Sequence, residues 1–298
     1  MTSAPYAPFG RLLTAMATAF KPDGSVDLDG TARIAAHLVE HGNDGVVVSG
    51  TTGESPTTTV EEDYEILRAV KDAVGDRATV IAGVGTNATA HSVELARGAA
   101  KVGVDGVLLV TPYYNKPSQS GVLHHFRTVS EASDLPVMLY DVPGRTGLPI
   151  SLDTYAAAIE WDQVVAVKDA LGDLPRATKL TDLGYAVYSG DDVATLGFLA
   201  HGGCGLVSVV GHAAGRELKT MIETFLAGDH TRALEVFRRL LPAFEAMMGV
   251  PNYGATTAKA ALQLQGVLDN RNVRGPLVPL DETEYAALRD GLAAAGLI

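Results

Sequence analysis

Short runs of apolar, β-branched residues recur along this chain, each followed by a glycine- or threonine-rich turn and an alanine-rich segment of helical character. The runs are apolar almost throughout, which is typical of parallel strands covered on both faces. They occupy residues 11–18, 45–48, 79–81, 106–110, 136–140, 164–168, 186–189 and 205–209. Their starts lie roughly 20 to 35 residues apart, the length of one strand–helix unit. The pattern predicts an α/β fold of the (β/α)8 type, a TIM barrel.

The boundaries of these units carry signals of their own. Three turns, at 42–46, 103–107 and 202–206, place one glycine where a helix ends and another where the next strand begins. Glycine adopts the left-handed conformation without steric cost, so a short loop can lead back to the sheet. Thr59 and Glu62 form a T-x-x-E capping box ahead of an apolar stripe. These signals predict the same alternation of strands and helices.

The pattern changes after about residue 227, where helical segments follow one another without strands. We expect helices over 231–248, with a bend at Pro242, and over 256–265. Asp281 with Glu284 predicts the start of a last helix. The prediction is a barrel carrying the active site in residues 1–227 and a C-terminal helical appendage, packed on it, in residues 228–298.

Charge and cysteine content restrict the partners and the compartment. The 298 residues include 35 acidic and 23 basic side chains, for a net charge of −12. We therefore expect no nucleic-acid partner and no anionic membrane partner. No apolar stretch has the length of a transmembrane helix, and the first residues lack the features of a secretion signal. Cys204, the single cysteine, can form no internal disulfide, so a cytoplasmic location is expected.

Two polar side chains end neighbouring apolar runs. Lys168 ends one run and Tyr140 ends the run before it. Desolvation lowers the pKa of an amine and frees it as a nucleophile for carbonyl carbon, and a nearby phenol can then move protons. Residues alone also allow a surface lysine paired with Asp169 and a tyrosine that satisfies one hydrogen bond at the barrel rim.

Three loops after predicted strands carry further candidates. The turn at 50–55 offers two hydroxyls and several backbone N–H groups, which suit a carboxylate, although a plain helix-capping loop has the same composition. Arg145 stands on a Pro/Gly-stiffened loop and can bind a carboxylate through its planar fork, or be a solvated arginine. Tyr113 and Tyr114 are adjacent aromatic residues that indicate an intersubunit contact.

Two other patterns are too weak to predict a site. The Gly83–Gly85 turn lacks the third glycine and the acidic partner of a dinucleotide fingerprint. Asp191 and Asp192 follow a glycine, where such residues more often open a helix than hold a divalent metal. We predict neither a nicotinamide site nor a metal site.

Four motifs stand together at the ends of the predicted strands. They are G-T-T-G-E at 50–54, T-P-Y-Y-N at 111–115, Y-D-V-P-G-R-T-G at 140–147 and V-K-D-A at 167–170. In this order and spacing, over about residues 8–268, the chain resembles the dihydrodipicolinate synthase family of pyruvate-dependent class I aldolases. The resemblance implies Schiff-base condensation of pyruvate with L-aspartate 4-semialdehyde to give 4-hydroxy-tetrahydrodipicolinate. This is a step of lysine and diaminopimelate biosynthesis.

The resemblance also implies the roles of the catalytic residues. Lys168 would form the Schiff base with pyruvate, and Tyr140 would transfer protons. Thr51 would link Tyr140 to Tyr114, which a neighbouring subunit would donate. The expected assembly is a homotetramer, a dimer of dimers. The covalent imine would need no metal and no organic cofactor.

The substrate-binding residues follow from the same resemblance. Thr52 and its backbone N–H would bind the pyruvate carboxylate, and Arg145 would bind the carboxylate of aspartate semialdehyde. The backbones of Gly190 and Val207 would line the pocket.

Two stretches depart from the family pattern. Asp141 stands where asparagine is usual, and residues 252–259 replace a proline-rich N-P-x-P-V-K. Neither departure touches the chemical residues, but both bear on how the C-terminal helices pack and on the tetramer geometry.

A further departure concerns feedback inhibition by lysine, which is common in the family. The matching asparagine is Asn87, but four residues later His91 stands in place of the glutamate that takes the effector's amine. No histidine follows Ser55 in the next eight residues, although Glu61 or Asp63 offers an alternative carboxylate. A mostly neutral imidazole does not offset the desolvation of an ammonium. We predict weak or absent inhibition by lysine.

Two alternatives remain beside the condensation. One is an N-acetylneuraminate lyase or a 2-keto-3-deoxy sugar acid aldolase of the same superfamily. Such enzymes generally lack the arginine found here at Arg145 and carry a serine beside the threonine where Thr51 and Thr52 stand. The other is a non-catalytic barrel, since a fold does not determine a function.

Overall fold

The computed structural model describes residues 4–298, in which eight strands follow one another around a closed barrel in chain order. The strands are β1 (Leu12–Ala15), β2 (Gly45–Val48), β3 (Thr79–Gly83), β4 (Gly106–Val110), β5 (Val137–Asp141), β6 (Val164–Asp169), β7 (Ala186–Ser189) and β8 (Gly205–Ser208). The predicted (β/α)8 barrel is therefore confirmed. Strands β2, β4 and β7 have the predicted bounds, and the ends of β3, β5, β6 and β8 differ by one or two residues.

The first strand is shorter than its hydropathy predicts. The expected strand covered residues 11–18, whereas β1 ends at Ala15. Met16 and Ala17 are still buried, but the Ala17 N–H donates to Nε2 of the buried His212 and not to a neighbouring strand. The Met16 N–H still donates to the Val47 carbonyl of β2 at 2.9 Å, so the bond to the neighbouring strand is lost only at Ala17. From Ala17 onward, burial and not strand pairing accounts for the apolar signal.

Residues 4–11 and 79–207 belong to one compact unit, which contains β3 to β7 and most of β8. Its helices are α3 (Thr89–Val102), α4 (Gln119–Ser130), α5 (Pro143–Thr146), α6 (Leu152–Ala158), α7 (Leu174–Asp182) and α8 (Thr195–Ala200). In the parallel β5–β6 pair, Tyr140 lies opposite Lys168 and Asp141 lies opposite Asp169. Because side chains alternate along a strand, the first two extend from one face of this pair and the two carboxylates from the other.

Residues 12–78 and 208–298 belong to the second compact unit, which contains β1 and β2. Its helices are α1 (Leu28–Glu40), α2 (Val60–Val74), α9 (Gly211–Leu226), α10 (His230–Met248), α11 (Ala255–Leu264) and α12 (Glu282–Ala294). Helix α10 packs against α9 and α12. The helices expected in the C-terminal part are α10, α11 and α12, and the two units divide the chain differently from the predicted boundary at residue 227, which stays a prediction.

The predicted helix starts are confirmed in detail. At the start of α2, the Thr59 hydroxyl accepts from the Glu62 N–H and the Glu62 carboxylate accepts from the Thr59 N–H. Asp281 and Glu284 make the same reciprocal bonds at the start of α12. Across residues 4–298 there is no helix with the length and apolar character needed to span a bilayer.

Candidate active site

Lys168 and Tyr140 lie side by side near the C-terminal ends of β6 and β5. Lys168 is 5% exposed and Tyr140 is 8% exposed, and the Lys168 Nζ lies 4.5 Å from the centroid of the Tyr140 ring. Adjacent parallel strands in register bring the two side chains together, as their positions at the ends of neighbouring runs predict. The amine and the phenol are close enough to serve one reacting group.

The surroundings of Lys168 increase the neutral fraction of its amine. Burial lowers the pKa of the Lys168 amine to about 8, the charge of Asp192 opposes this shift and the charge of Arg145 reinforces it. A free amine is the form that attacks a carbonyl carbon. The mechanism predicted from the apolar run before Lys168, desolvation, is therefore the main cause of the shift.

The face of the β5–β6 pair opposite the amine carries a buried ionic cluster. Arg176 Nη2 donates to Asp141 Oδ2 at 2.7 Å and to the Ile150 carbonyl at 2.6 Å, and Arg176 Nη1 donates to Asp169 Oδ2 at 3.3 Å. The Tyr155 hydroxyl donates to Asp141 Oδ2 at 3.2 Å. Burial raises the pKa of both carboxyls and the Arg176 charge opposes that increase.

This cluster decides an alternative left open by the sequence. A surface Lys168 paired with Asp169 is excluded, because Lys168 is buried and the Asp169 carboxylate binds Arg176 and the Leu171 N–H. Arg176 was not among the residues predicted from the sequence. The sequence indicates such a residue only indirectly. Asp141 and Asp169 directly follow the two candidates at the ends of neighbouring strands, and two carboxylates so placed require a cation.

The loops after β5, β7 and β8 hold the other candidates of this unit. Arg145 is exposed on the single helical turn α5. The Gly190 N–H donates to the Asp169 carbonyl at 2.7 Å directly after β7, where a side chain would crowd Ala170. Val207 is buried within β8. Their roles toward a substrate stay predictions.

The first of the two aspartates after Gly190 has a local structural role. Asp191 Oδ1 accepts from the N–H groups of Val193 and Ala194, just before α8. Among residues 4–298 no three His, Cys, Asp or Glu side chains are grouped so that they could hold a metal ion.

In the second unit, the turn between β2 and α2 carries Thr51 and Thr52. Thr51 is exposed and Thr52 is buried. The turn is closed by two backbone bonds, from the Glu54 N–H to the Thr51 carbonyl and from the Ser55 N–H to the Gly50 carbonyl. A side chain in place of Gly53 would meet the Met16 carbonyl at 3.2 Å, so glycine permits this close approach.

Glu54, the last residue of the G-T-T-G-E motif, binds a lysine from the C-terminal helices. Lys259 Nζ, on α11, donates to Glu54 Oε1 at 2.5 Å, and both side chains are 1% exposed. Glu54 Oε2 accepts from the Arg274 N–H at 2.8 Å. This contact was not predicted from the sequence, in which the one indication was the lysine that ends segment 252–259.

The two buried lysines, Lys168 and Lys259, both have a pKa below that of an ordinary lysine. Burial lowers the pKa of Lys259 to about 8, as it does for Lys168, while the charge of Glu54 opposes the shift. Lys259 has an ion-pair partner in direct contact, whereas the Lys168 amine lies over the face of an aromatic ring. An amine held by a carboxylate is a poor nucleophile, so Lys168 is the better candidate.

The residues assigned to subunit contact and to feedback differ in exposure. Tyr114 is 89% exposed and has a φ of 70°. His91 is exposed, with its Nδ1 3.7 Å from Glu94 Oε2. Asp63, considered as an alternative carboxylate, is buried and accepts from the hydroxyls of Ser49 and Thr58 at 2.8 Å each.

Comparison with known proteins agrees with this arrangement. The model of the dihydrodipicolinate synthetase family matches residues 8–295. The 4-hydroxy-tetrahydrodipicolinate synthase of Kineococcus radiotolerans is 54% identical over 98% of this chain and 95% of its own length. Synthase 2 of Streptomyces coelicolor is 53% identical over 99% of this chain and 98% of its own length.

Among solved structures, the dihydrodipicolinate synthase of Cyanidioschyzon merolae with lysine bound superimposes with a TM-score of 0.94 at 42% identity. The superposition covers 98% of this chain and 100% of that one. With the family model matched over nearly the whole length and relatives of this identity, the chain belongs to the dihydrodipicolinate synthetase family.

Proposed function

We propose that this chain is a 4-hydroxy-tetrahydrodipicolinate synthase, which condenses pyruvate with L-aspartate 4-semialdehyde through an imine on Lys168. The observation that carries the proposal is the buried Lys168 amine, with its pKa lowered to about 8, over the ring of Tyr140. Membership of the family and the names of the relatives support the choice of substrates.

The chemistry assigns a covalent step to Lys168 and proton transfers to Tyr140. The neutral amine attacks the ketone carbon of pyruvate, and loss of water gives an imine. Removal of a proton from the methyl carbon gives an enamine, whose carbon forms the new bond to the aldehyde carbon of the second substrate. The amine of that substrate then displaces Lys168 in a transimination that closes the ring and returns the free lysine.

The remaining assignments concern the carboxylates of the substrates. Thr52 and its backbone N–H bind the pyruvate carboxylate, since small residues and a tight turn let donors approach it. Arg145 binds the carboxylate of the semialdehyde through a bidentate fork. The backbones of Gly190 and Val207 line the site.

The assembly and compartment belong to the same proposal. Thr51 is part of a proton relay between Tyr140 and a Tyr114 that a neighbouring subunit donates within a homotetramer. The exposure of Tyr114, 89%, supports a role for this side chain outside its own chain. The imine supplies the electron sink for the reaction, so the protein works without metal or organic cofactor, and it works in the cytoplasm.

Reduction with borohydride tests the proposal directly. The protein is incubated with pyruvate, treated with borohydride and digested, and the peptides are analysed by mass spectrometry. We expect the adduct on Lys168, and we expect Lys168→Arg to form none, because the guanidinium stays protonated. An adduct on Lys259 would overturn the assignment, and no adduct would indicate a non-catalytic barrel.

A panel of aldehydes tests the second substrate. Product formation from pyruvate is compared between L-aspartate 4-semialdehyde and sugar aldehydes, and cleavage of N-acetylneuraminate and 2-keto-3-deoxy sugar acids is measured alongside. We expect the semialdehyde to have the highest kcat/KM. Preference for a sugar substrate would assign the chain to the sugar-acid branch of the superfamily.

A further inference from the structure

The turn that carries Thr51 and Thr52 is fixed from outside by the side chain of Glu54. The Glu54 backbone has a φ of 60°, in the left-handed region that non-glycine residues rarely adopt. Such a conformation costs on the order of 1–3 kcal/mol and persists only when the surroundings determine it. The turn therefore depends on the contacts that hold Glu54.

Both carboxylate oxygens of Glu54 have a donor from the C-terminal part of the same unit. Oε1 accepts from Lys259 Nζ, and Oε2 accepts from the Arg274 N–H at 2.8 Å. With both oxygens bound and the side chain 1% exposed, rotation of Glu54 would break two bonds that water does not replace.

Lys259 is itself fixed in three ways. Its Nζ donates to the Asn272 carbonyl at 2.7 Å and lies 4.2 Å from the centroid of the Phe20 ring, in addition to the bond to Glu54. A buried ammonium is costly unless it is paired, so this arrangement is specific to a cation at this position.

Arg274 secures the segment that faces Glu54. Its guanidinium binds both carboxylate oxygens of Glu62, on α2, at 2.6 and 2.8 Å, and Nη1 also donates to the Thr57 carbonyl at 2.7 Å. The segment after α11 thus contacts Glu54 in the turn, Thr57 after the turn and Glu62 on helix α2.

We propose that Lys259 is a positioning residue for the pyruvate-carboxylate loop, residues 50–55, and that it acts through Glu54 on the geometry of Thr51 and Thr52. The inference rests on the proposed function, because it takes the loop as the site of the pyruvate carboxylate. It assigns a task in binding to the C-terminal helices: α11 supplies the cation that holds the turn.

A positional role and a merely structural role differ in what they change. If the ion pair positions the loop, its removal raises the KM for pyruvate and leaves the KM for the semialdehyde and the imine-forming residue unchanged. If the pair serves stability alone, any change of KM follows the loss of stability.

The experiment uses Lys259→Met, Glu54→Gln, the double variant, and Lys101→Met as an exposed lysine control on α3. For each full-length protein, both KM values, kcat, the melting temperature and the pyruvate–borohydride adduct are measured. Glu54→Gln keeps the volume and an acceptor for Lys259, so it remains informative if Lys259→Met does not fold. The double variant removes both charges and leaves no unpaired ion.

We expect the single variants and the double variant to raise the KM for pyruvate by about tenfold or more, since displacement of a positioned contact by 1 Å can cost roughly 100-fold. We also expect the double variant to regain thermal stability without regaining the KM. An unchanged KM in Glu54→Gln, or a KM that recovers together with stability in the double variant, would overturn the inference. Absence of any adduct in the unmodified protein would instead overturn the proposed function.

Discussion

At the residue scale, burial of the Lys168 amine is the main factor that determines how much of it is neutral. The amine is at the end of a buried strand, and burial outweighs the opposing charge of Asp192 in setting its pKa. An ordinary lysine with a pKa near 10.4 is neutral in only about 0.04% of molecules at pH 7, whereas a pKa near 8 makes about 10% of them neutral. Desolvation therefore supplies most of the neutral amine that the proposed imine formation on Lys168 needs.

The rate of imine formation should follow this titration. The neutral form reacts, so kcat/KM for pyruvate should rise as pH increases through about 8 and level above it. Asp192→Asn removes a charge that raises the pKa of Lys168, so its profile should move to lower pH. The measurement is kcat/KM for pyruvate against pH, and a profile that keeps rising to pH 10 would contradict it.

Arg145 should affect one substrate only. Arg145→Ala should raise the KM for aspartate semialdehyde far more than the KM for pyruvate, because the guanidinium is assigned to the second substrate. Loss of a charge-assisted bidentate contact costs roughly 2–4 kcal/mol. Arg127→Ala, which removes an exposed arginine paired with Glu131, is the matched control. Equal weakening of both substrates would indicate a structural role.

At the scale of elements, Arg176 joins helix α7 to the strands β5 and β6. Asp141 and Asp169 lie opposite each other in the strand register, and Arg176 binds both. Two buried carboxylates in this arrangement repel each other unless a cation lies between them. The aspartate that departs from the family's asparagine is thus part of a three-residue ionic cluster behind the catalytic candidates.

Removal of this cation should be much more damaging than removal of the departing carboxylate. Arg176→Met leaves two buried carboxylates without their cation and should destabilise the fold by about 3–5 kcal/mol at neutral pH. Asp141→Asn keeps the shape and leaves a single pair, so its melting temperature should stay close to that of the unmodified protein.

The pH dependence gives a second measurement. Burial raises the pKa of Asp141 and Asp169 above 3.8, the value in the unfolded chain. The stability that their protonated forms contribute is therefore fully present below 3.8 and is lost as pH rises through the raised pKa of the folded state. Arg176→Met should therefore lose more stability at pH 8 than at pH 5, by thermal unfolding. A deficit equal at both pH values would contradict this account.

Helix α3 carries His91, the residue on which the prediction of weak inhibition by lysine depends. His91 is exposed in its first turn and has a carboxylate, Glu94, within 3.7 Å. We expect half-inhibition by lysine to need more than about 1 mM, an affinity near 4 kcal/mol. Initial rates against lysine at saturating pyruvate measure this.

A gain-of-function variant sharpens the same prediction. His91→Glu supplies a carboxylate for the effector's ammonium and should lower the concentration of lysine that half-inhibits. His124→Glu adds the same charge at an exposed position on α4 and should have no effect. Strong inhibition of the unmodified protein would show the prediction to be wrong.

At the scale of the whole molecule, Tyr114 tests whether the site is shared between subunits. Lys168→Arg lacks the nucleophile, and Tyr114→Phe lacks the phenol. The two variants are co-expressed in equal amounts, so that some pairs contain one subunit of each. If a neighbour donates Tyr114, one of the two sites in each such mixed pair has both the lysine and the phenol, and about a quarter of the unmodified activity should return. No recovery above the sum of the separate variants would place Tyr114 in its own chain's site, and light scattering gives the number of subunits.

The sequence predicts the barrel well because its signals are local. Short apolar runs and glycine turns follow from covered parallel strands, so β2, β4 and β7 appear with their predicted bounds. Lys168 and Tyr140 were found together because neighbouring strands in register place them opposite each other. The bend expected at Pro242 and the substrate roles stay predictions.

What the sequence could not show are contacts between distant segments. Glu54 looks like the last residue of a loop motif, and Lys259 looks like one lysine in a helix, until folding places them in contact. Arg176 was missed for the same reason, since nothing near it in the sequence indicates Asp141. Hydropathy also extended β1 too far, because it reports burial and not pairing.

The contact between Lys259 and Glu54 also has a consequence for biosynthesis. The two residues are 205 positions apart, and Lys259 leaves the ribosome after all eight strands. Because the chain is synthesised from its N-terminus, strands β1 to β8 can emerge while the turn at 50–55 still lacks its cation. A nascent or truncated chain without α11 would carry every residue assigned to the chemistry and still lack the anchor of this turn. Binding competence would then arrive only after α11 has been synthesised.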